Sequence, residues 1–513
     1  MTRADSPSAP PLASAPAHLE DAIAPRDRSV IVLLLISAFV VILNETILSV
    51  ALPPIMDDLD LAETTAQWLT TGFMLTMAVV IPITGYLMGR FTTRQVFALA
   101  MVTFTVGTVL CAAAPSFLLL LLGRIVQASG TAVMMPLLMT TVMNLVPPSR
   151  RGQVMGNISI VISVAPAAGP TLSGLILSVA PWRALFLVVL PIAVIALLVG
   201  LRRIEDVSER SAQRADVLSV LLAGTGFGPL VYGLTGLSSG ASAEGAGGST
   251  TVSLLFLLLG VVSLVLFVWR QLVLQREERA LLDLRTFSSR TFTLTVVLMV
   301  VMMGSMFGVV VLLPIFLQKV LALSTLAVGL MMLPGGLAMG LLAPLVGRLF
   351  DKVGPRPLLV PGLAAVVVGI GILSRVPEQA WLIVVGHVTM SLGLAFVFTP
   401  LMTTAMGSLP RRLYPHGSAI VGTVQQVAGA AGAALMVAVM ARVAAGTAAS
   451  GGDHLAGVSD GTSAAFTLSA VLGLVTIGIA LFVRRAPEEQ PEAGQSPDEG
   501  QAPELAETGP EAH

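Results

Sequence analysis

Pro82-Ile83-Thr84-Gly85-Tyr86-Leu87-Met88-Gly89-Arg90 closes one apolar run, and 262 residues later Pro344-Leu345-Val346-Gly347-Arg348-Leu349-Phe350-Asp351-Lys352 closes another. The proline, the first glycine, the leucine and the final basic residue share one register, and the same offset carries Arg94 onto Arg356. Each copy leaves an apolar stretch and enters a short basic turn. Two helix ends built alike and set so far apart imply that the chain holds one large unit twice. Copies crossing a membrane in the same direction are related by an axis along the membrane normal.

The composition requires that membrane. Of 513 residues, 55% are hydrophobic and 11% charged, with a mean hydropathy of +0.90; a soluble domain carries roughly 25% charged residues. A helix needs about 20 apolar residues to span the bilayer. Such lengths recur near 30–52, 67–89, 96–114, 117–146, 152–178, 182–201, 216–237, 251–270, 291–317, 325–347, 357–374, 381–406, 416–445 and 463–483. The expected fold is therefore all-α and integral to the membrane. It has 14 transmembrane helices as two six-helix bundles with two helices inserted between them (6+2+6).

An even number of spans puts both termini on one side. Of the 28 Lys and Arg, 23 fall on that side and only Lys319 and Arg375 in opposite loops. Basic loops stay in the cytoplasm, so both termini are expected there and the protein in the plasma membrane. The implied organisation is a disordered tail (1–28), an amino-terminal bundle (29–205), the inserted pair (206–275), a carboxy-terminal bundle (276–485) and a disordered acidic tail (486–513). In the charged link 271–290, Leu281, Leu282, Leu284 and Phe287 suggest a short interfacial helix or an apolar-flecked loop. The net charge of −1 argues against nucleic-acid binding, and Cys111, the single cysteine, has no disulfide partner in the chain.

Glu45 is the carboxylate set deep in an apolar span. Placing a charge there costs about 2.5–3.5 kcal/mol, and acids kept at such depth usually move protons. At 1.5 Å per residue, Glu45 lies about 11 Å from Leu52, and Arg124, on an oppositely directed span, about 11 Å from Phe117. Gly169-Pro170 falls at nearly the same depth. A carboxyl between an apolar wall and a guanidinium is pulled towards both of its forms; the other reading is a structural ion pair. Polar residues elsewhere in the spans, Asn44, Gln127, Asn157, His387, Gln425 and Gln426, are candidates to line a substrate cavity. The bland alternative for His387 is a hydrogen-bonded packing role. No metal site, cofactor motif or hydrolytic nucleophile stands out, and the chain is not expected to be an enzyme.

These residues carry a family resemblance. Gly347-x-Leu349-Phe350-Asp351-Lys352-x-Gly354-Pro355-Arg356 resembles the loop signature of the major facilitator superfamily, in which the acid and the arginine latch two helices on the cytoplasmic face. The first copy keeps Gly85, Arg90 and Arg94 but has Gly89 where the acid is usual. Arg124 to Gly130 resembles the fourth-helix signature associated with proton transfer. Ala165 to Gly174, containing Gly169, Pro170 and Gly174, resembles the fifth-helix signature of antiporters.

Asn44 to Pro53 is similar to the first-helix signature of the fourteen-span drug:proton antiporters, with the acid one residue later than usual. The Phe91–Gln95 loop, together with Trp182-Arg183, Phe186 and Pro191, is similar to the lincomycin-resistance-type members. The resemblance spans residues 29–485. It implies a monomeric exporter of drug-like amphipathic small molecules, driven by the proton gradient and needing no cofactor. The alternatives are a transporter of one metabolite on the same fold or, from another class, a non-transporting membrane receptor.

Overall fold

The structure is a computed structural model that describes residues 24–483, apart from 62, 67, 205–215, 241–249, 324, 377–378 and 452. The carboxy-terminal tail, and the amino-terminal one up to residue 23, lie outside the described residues. Among the described residues the architecture is helical. The α-helices are α1 (Pro25–Leu59), α2 (Glu63–Ala66), α3 (Trp68–Arg90), α4 (Thr93–Ala112), α5 (Phe117–Leu145), α6 (Arg151–Leu177), α7 (Arg183–Arg203), α8 (Val217–Gly240), α9 (Thr250–Leu274), α10 (Arg290–Lys319), α11 (Thr325–Val353), α12 (Arg356–Leu373), α13 (Ala380–Gly407), α14 (Tyr414–Ala449) and α15 (His454–Ala480). Thirteen stretches among the described residues are long and apolar enough to cross a membrane.

Several ends differ from expectation. α1 starts at Pro25 and runs on to Leu59, where Asp60 turns the chain with φ 52°; α15 begins nine residues before Ser463. Both extensions lie beyond the apolar run, where hydropathy no longer marks the helix but its backbone ladder continues.

The packing repeats. α4 lies on α5 as α12 lies on α13, α3 on α5 as α11 on α13, α1 on α6 as α10 on α14, and α4 on α7 as α12 on α15. Between the two sets, α6 packs along α11 and α3 along α14. α8 and α9 form a hairpin whose α8 leans on α3 and α14. α9 turns Leu255, Leu258, Val265 and Trp269 outwards, as a helix solvated by acyl chains must.

Asp216, just ahead of α8, receives Arg270 Nε and Nη2 at 2.6 and 2.7 Å. This bidentate contact holds its carboxyl down at about 2. The link after α9 is docked. Gln271 Oε1 accepts the backbone N–H of Leu281 and Leu282, and both leucines are buried. A 3₁₀ turn, Leu284–Ser288, stands where an interfacial helix was one expectation, because Gln271 and the buried leucines pull the chain onto the protein. Burial works against the charge of Asp283, yet hydrogen bonds from the Arg285 side chain and backbone keep its carboxyl below the usual range.

Candidate functional site

Two neighbours on α1 behave differently. Asn44 is 2% exposed and its Nδ2 has no partner. Glu45 is half-buried and, among the described residues, makes no hydrogen bond or ion pair. Arg124 acts on it electrostatically, but the two are not in contact. The direct ion pair considered from the sequence is therefore absent.

Arg124 is 1% exposed. Its Nη1 donates to Gln127 Oε1 at 2.7 Å, and Gln127 Nε2 donates on to Thr108 Oγ1 of α4 at 2.8 Å. The guanidinium carbon lies 4.1 Å from the Phe73 ring centroid of α3, a cation–π contact strengthened by desolvation. Nε has no partner. Spacing of i, i+3 puts Arg124 and Gln127 on one helix face, but Gln127 is 0% exposed. In this conformation it holds the arginine. Phe73 and Thr108 belong to this layer and carry no local mark in the sequence.

Gly169 closes the layer from α6. A side-chain carbon there would collide with Thr46 Oγ1 on α1, next to Glu45. Close approach of two helix backbones at small residues is the usual mode of packing in lipid. Gly174 differs: it is exposed, and a side chain there would meet nothing within 4 Å.

Of the remaining cavity candidates, Asn157, Gln425 and Gln426 are half-buried. Gln425 Nε2 lies 3.7 Å from the Met299 sulfur, and Gln426 Nε2 lies 3.8 Å from that of Met77. Gln426 thus reaches from α14 to α3. His387 on α13 is 8% exposed with an unpartnered Nδ1.

At the basic end of the bundle the two loop copies diverge. Asp351 accepts the backbone N–H of Gly152 at 2.8 Å and of Gln153 at 3.0 Å, so the last turn of α11 caps the first turn of α6. A side chain at Gly152 or Gly347 would strike the other's backbone. Gly354 takes φ 77°, in the left-handed region, and Arg356 Nε donates to Val483 O at 2.8 Å. Lys352 and, in the first copy, Arg90 and Arg94 are exposed.

In that first copy Gly85 packs on Pro415 and His416 of α14, but a side-chain carbon added at Gly89 would meet no neighbouring element within 4 Å. Thr92 and Gln95 instead form a capping box at the start of α4. At the opposite end Arg183 Nη1 and Trp182 Nε1 both donate to Asp58, at 2.7 and 3.0 Å. Those bonds, the arginine's first, draw its carboxyl below the ordinary range.

A family profile described as Major Facilitator Superfamily matches residues 34–433. The chain is 40% identical over 479 residues to the MFS-type transporter YcnB of Bacillus subtilis (strain 168), covering 91% of this chain and 98% of that one. It is 38% identical over 468 residues to the lincomycin resistance protein LmrB of Listeria monocytogenes, covering 90% and 98%. The human organic anion transporter MFSD10 (TETRAN) shares the fold with a TM-score of 0.64 at 15% identity, over 89% of this chain and 100% of that one. With its helical membrane architecture, its paired loops and relatives matched nearly end to end, the chain belongs to the Major Facilitator Superfamily of transporters and is not an enzyme.

Proposed function

We propose that the protein is a proton-coupled antiporter that exports amphipathic, drug-like compounds across the plasma membrane, with Glu45 as the coupling carboxylate. The observation that carries this reading is an acid inside a span, half-buried and, among the described residues, without a hydrogen bond or ion pair, within electrostatic reach of a fully buried arginine. An acid already locked to Arg124 would have no freedom to exchange a proton; Arg124 is instead occupied by Gln127 and Phe73. The names of relatives, lincomycin resistance and multidrug resistance proteins, support the substrate class.

The wider reading is fourteen spans as 6+2+6, with both termini cytoplasmic. α6 joins the thirteen apolar stretches as the remaining span, and the matched helix pairings support the two sixes. The basic end is then cytoplasmic. Hydrogen bonds between the sixes gather there: Asp351 on Gly152 and Gln153, Thr140 with Ser418, Ser159 with Thr399. A seal at that end describes an outward-facing state. Glu45 takes a proton from outside as substrate leaves, then releases it to the cytoplasm as the next substrate enters. Each inward proton contributes about 2.3 kcal/mol per 100 mV of membrane potential.

Everted vesicles acidified by respiration test this. Lincomycin or ethidium added outside is expected to draw protons out of the lumen as it accumulates, and Glu45→Gln to abolish both events. A Glu45→Gln protein that still drives uphill, pH-gradient-dependent uptake removes Glu45 from the mechanism.

A further inference from the structure

Three close crossings fix the register between the two sets of six helices. A side chain added at Gly107 would hit Gln127, and one at Gly369 would hit Met390. Gly123 crowds Cys111 as Gly386 crowds Leu373, and Gly130 crowds Phe104 as Gly393 crowds Val366. On this register Arg124 of α5 falls on His387 of α13. Phe73, beneath the Arg124 guanidinium, falls on Gly335 of α11, and Gly335 is the residue His387 Nδ1 packs against. The acid has no counterpart. Gly169 meets Thr46, while its equivalent Gly432 meets Gly304, which puts Met303 where Glu45 stands. One fold position thus holds a buried guanidinium in the first set and a lone imidazole in the second.

The surroundings of that imidazole limit what it can do. Nδ1 is shut in without a partner, whereas Nε2 is not among the buried unpartnered atoms of a residue that is 8% exposed overall. A buried N–H without an acceptor is rarer and costlier than a buried lone pair. The proton of the neutral ring therefore belongs on Nε2. Trp381 and Val385 are exposed on α13, and at 100° per residue His387 lies on the face opposite Val385. The ring looks into the protein and not into lipid.

We infer that His387 is a substrate-recognition residue of the second six-helix set, donating from Nε2 to an oxygen acceptor on a neutral, hydroxyl- or carbonyl-bearing part of the exported molecule. The Glu45–Arg124 layer of the first set is left to handle the proton. This assignment rests on the export reading above. It divides the labour between two sites that the internal repeat makes equivalent.

The test uses full-length protein in proteoliposomes under an imposed pH gradient, with two probes. Lincomycin is rich in hydroxyls and has an amide; ethidium is a cation without oxygen. His387→Phe is expected to raise the apparent KM for lincomycin about tenfold, the scale of one lost hydrogen bond. Ethidium transport should stay within about twofold, which also certifies that the variant folds. His387→Gln, which keeps a donor, is expected to recover most of the loss. An unchanged lincomycin KM in His387→Phe, an equal loss for both probes, or a pH profile shifted for both overturns the assignment. So does a wild type that carries ethidium but not lincomycin. A wild type that carries neither defeats the export reading itself, a result distinct from these.

Discussion

Arg124 is held by an amide and an aromatic ring, and by no acid. A buried guanidinium without a salt bridge is costly, so its partners must be well placed. Gln127 is fixed in turn by Thr108, and Phe73 offers its ring face at 4.1 Å. Thr108→Val should therefore act at a distance, freeing Gln127 to turn away from Arg124. The expected result is an uphill export rate about tenfold lower, as for 1.4 kcal/mol, with substrate still bound at equilibrium; flux and binding assays on the same vesicles separate the two.

Gly169 gives a second prediction at this scale. Gly169→Ala drives a methyl into Thr46, an overpacking worth about 1–3 kcal/mol, and should depress transport, while Thr46→Ala in the same chain restores part of it. The sequence made Glu45, Arg124 and Gly169 legible because a charge or a Gly-Pro step inside an apolar run is conspicuous. Phe73, Thr108 and Thr46 were not, since ordinary residues acquire a role only through a partner on another helix. For Gln127, spacing gives the helix face but not the arginine it holds.

Among the elements, the α11–α6 cap and the bare α3–α14 contact are the same joint built twice, once with its acid and once without. Asp351 supplies a carboxylate to the α6 N-terminus, where it also meets the positive end of the helix dipole. Asp351→Ala should weaken the seal by about 1 kcal/mol, roughly a fivefold shift towards the inward-open state. Spin labels at the basic ends of α6 and α11 would report it as a growing long-distance population.

The converse substitution is more telling. The first turn of α14 has no side-chain cap, and Gly89 faces open space. Gly89→Asp should furnish the missing acid, hold the basic end shut and slow export, with the inter-label distance shortened between α3 and α14. The loop motif and its missing acid were visible in the chain; the capping box of Thr92 and Gln95, which settles the α4 start on its own, needed the backbone geometry to be recognised as such.

For the whole molecule, the question is what α8 and α9 add to two sixes whose pairings are already complete. They sit on one flank only, where α8 meets α3 and α14, whereas the α6–α11 flank closes with glycines and Asp351. Apolar length revealed that these helices exist, but not how they are held: Asp216, Arg270 and Gln271 tie α8 to α9 at their ends, while α8 meets α3 through Tyr232 stacked on Trp68. Asp216→Asn removes the charged half of that tie. The native carboxyl sits at about 2, below its unfolded value of about 3.9. The pair therefore stabilises the protein fully above the unfolded value and loses that contribution as pH falls from about 4 towards 2. Between pH 5 and 8 the variant should melt about 2–4 °C lower than wild type in detergent, by the same margin throughout, with the gap narrowing only in strong acid. A gap that opens or closes near neutrality would mean that another group governs how α8 and α9 are held to each other.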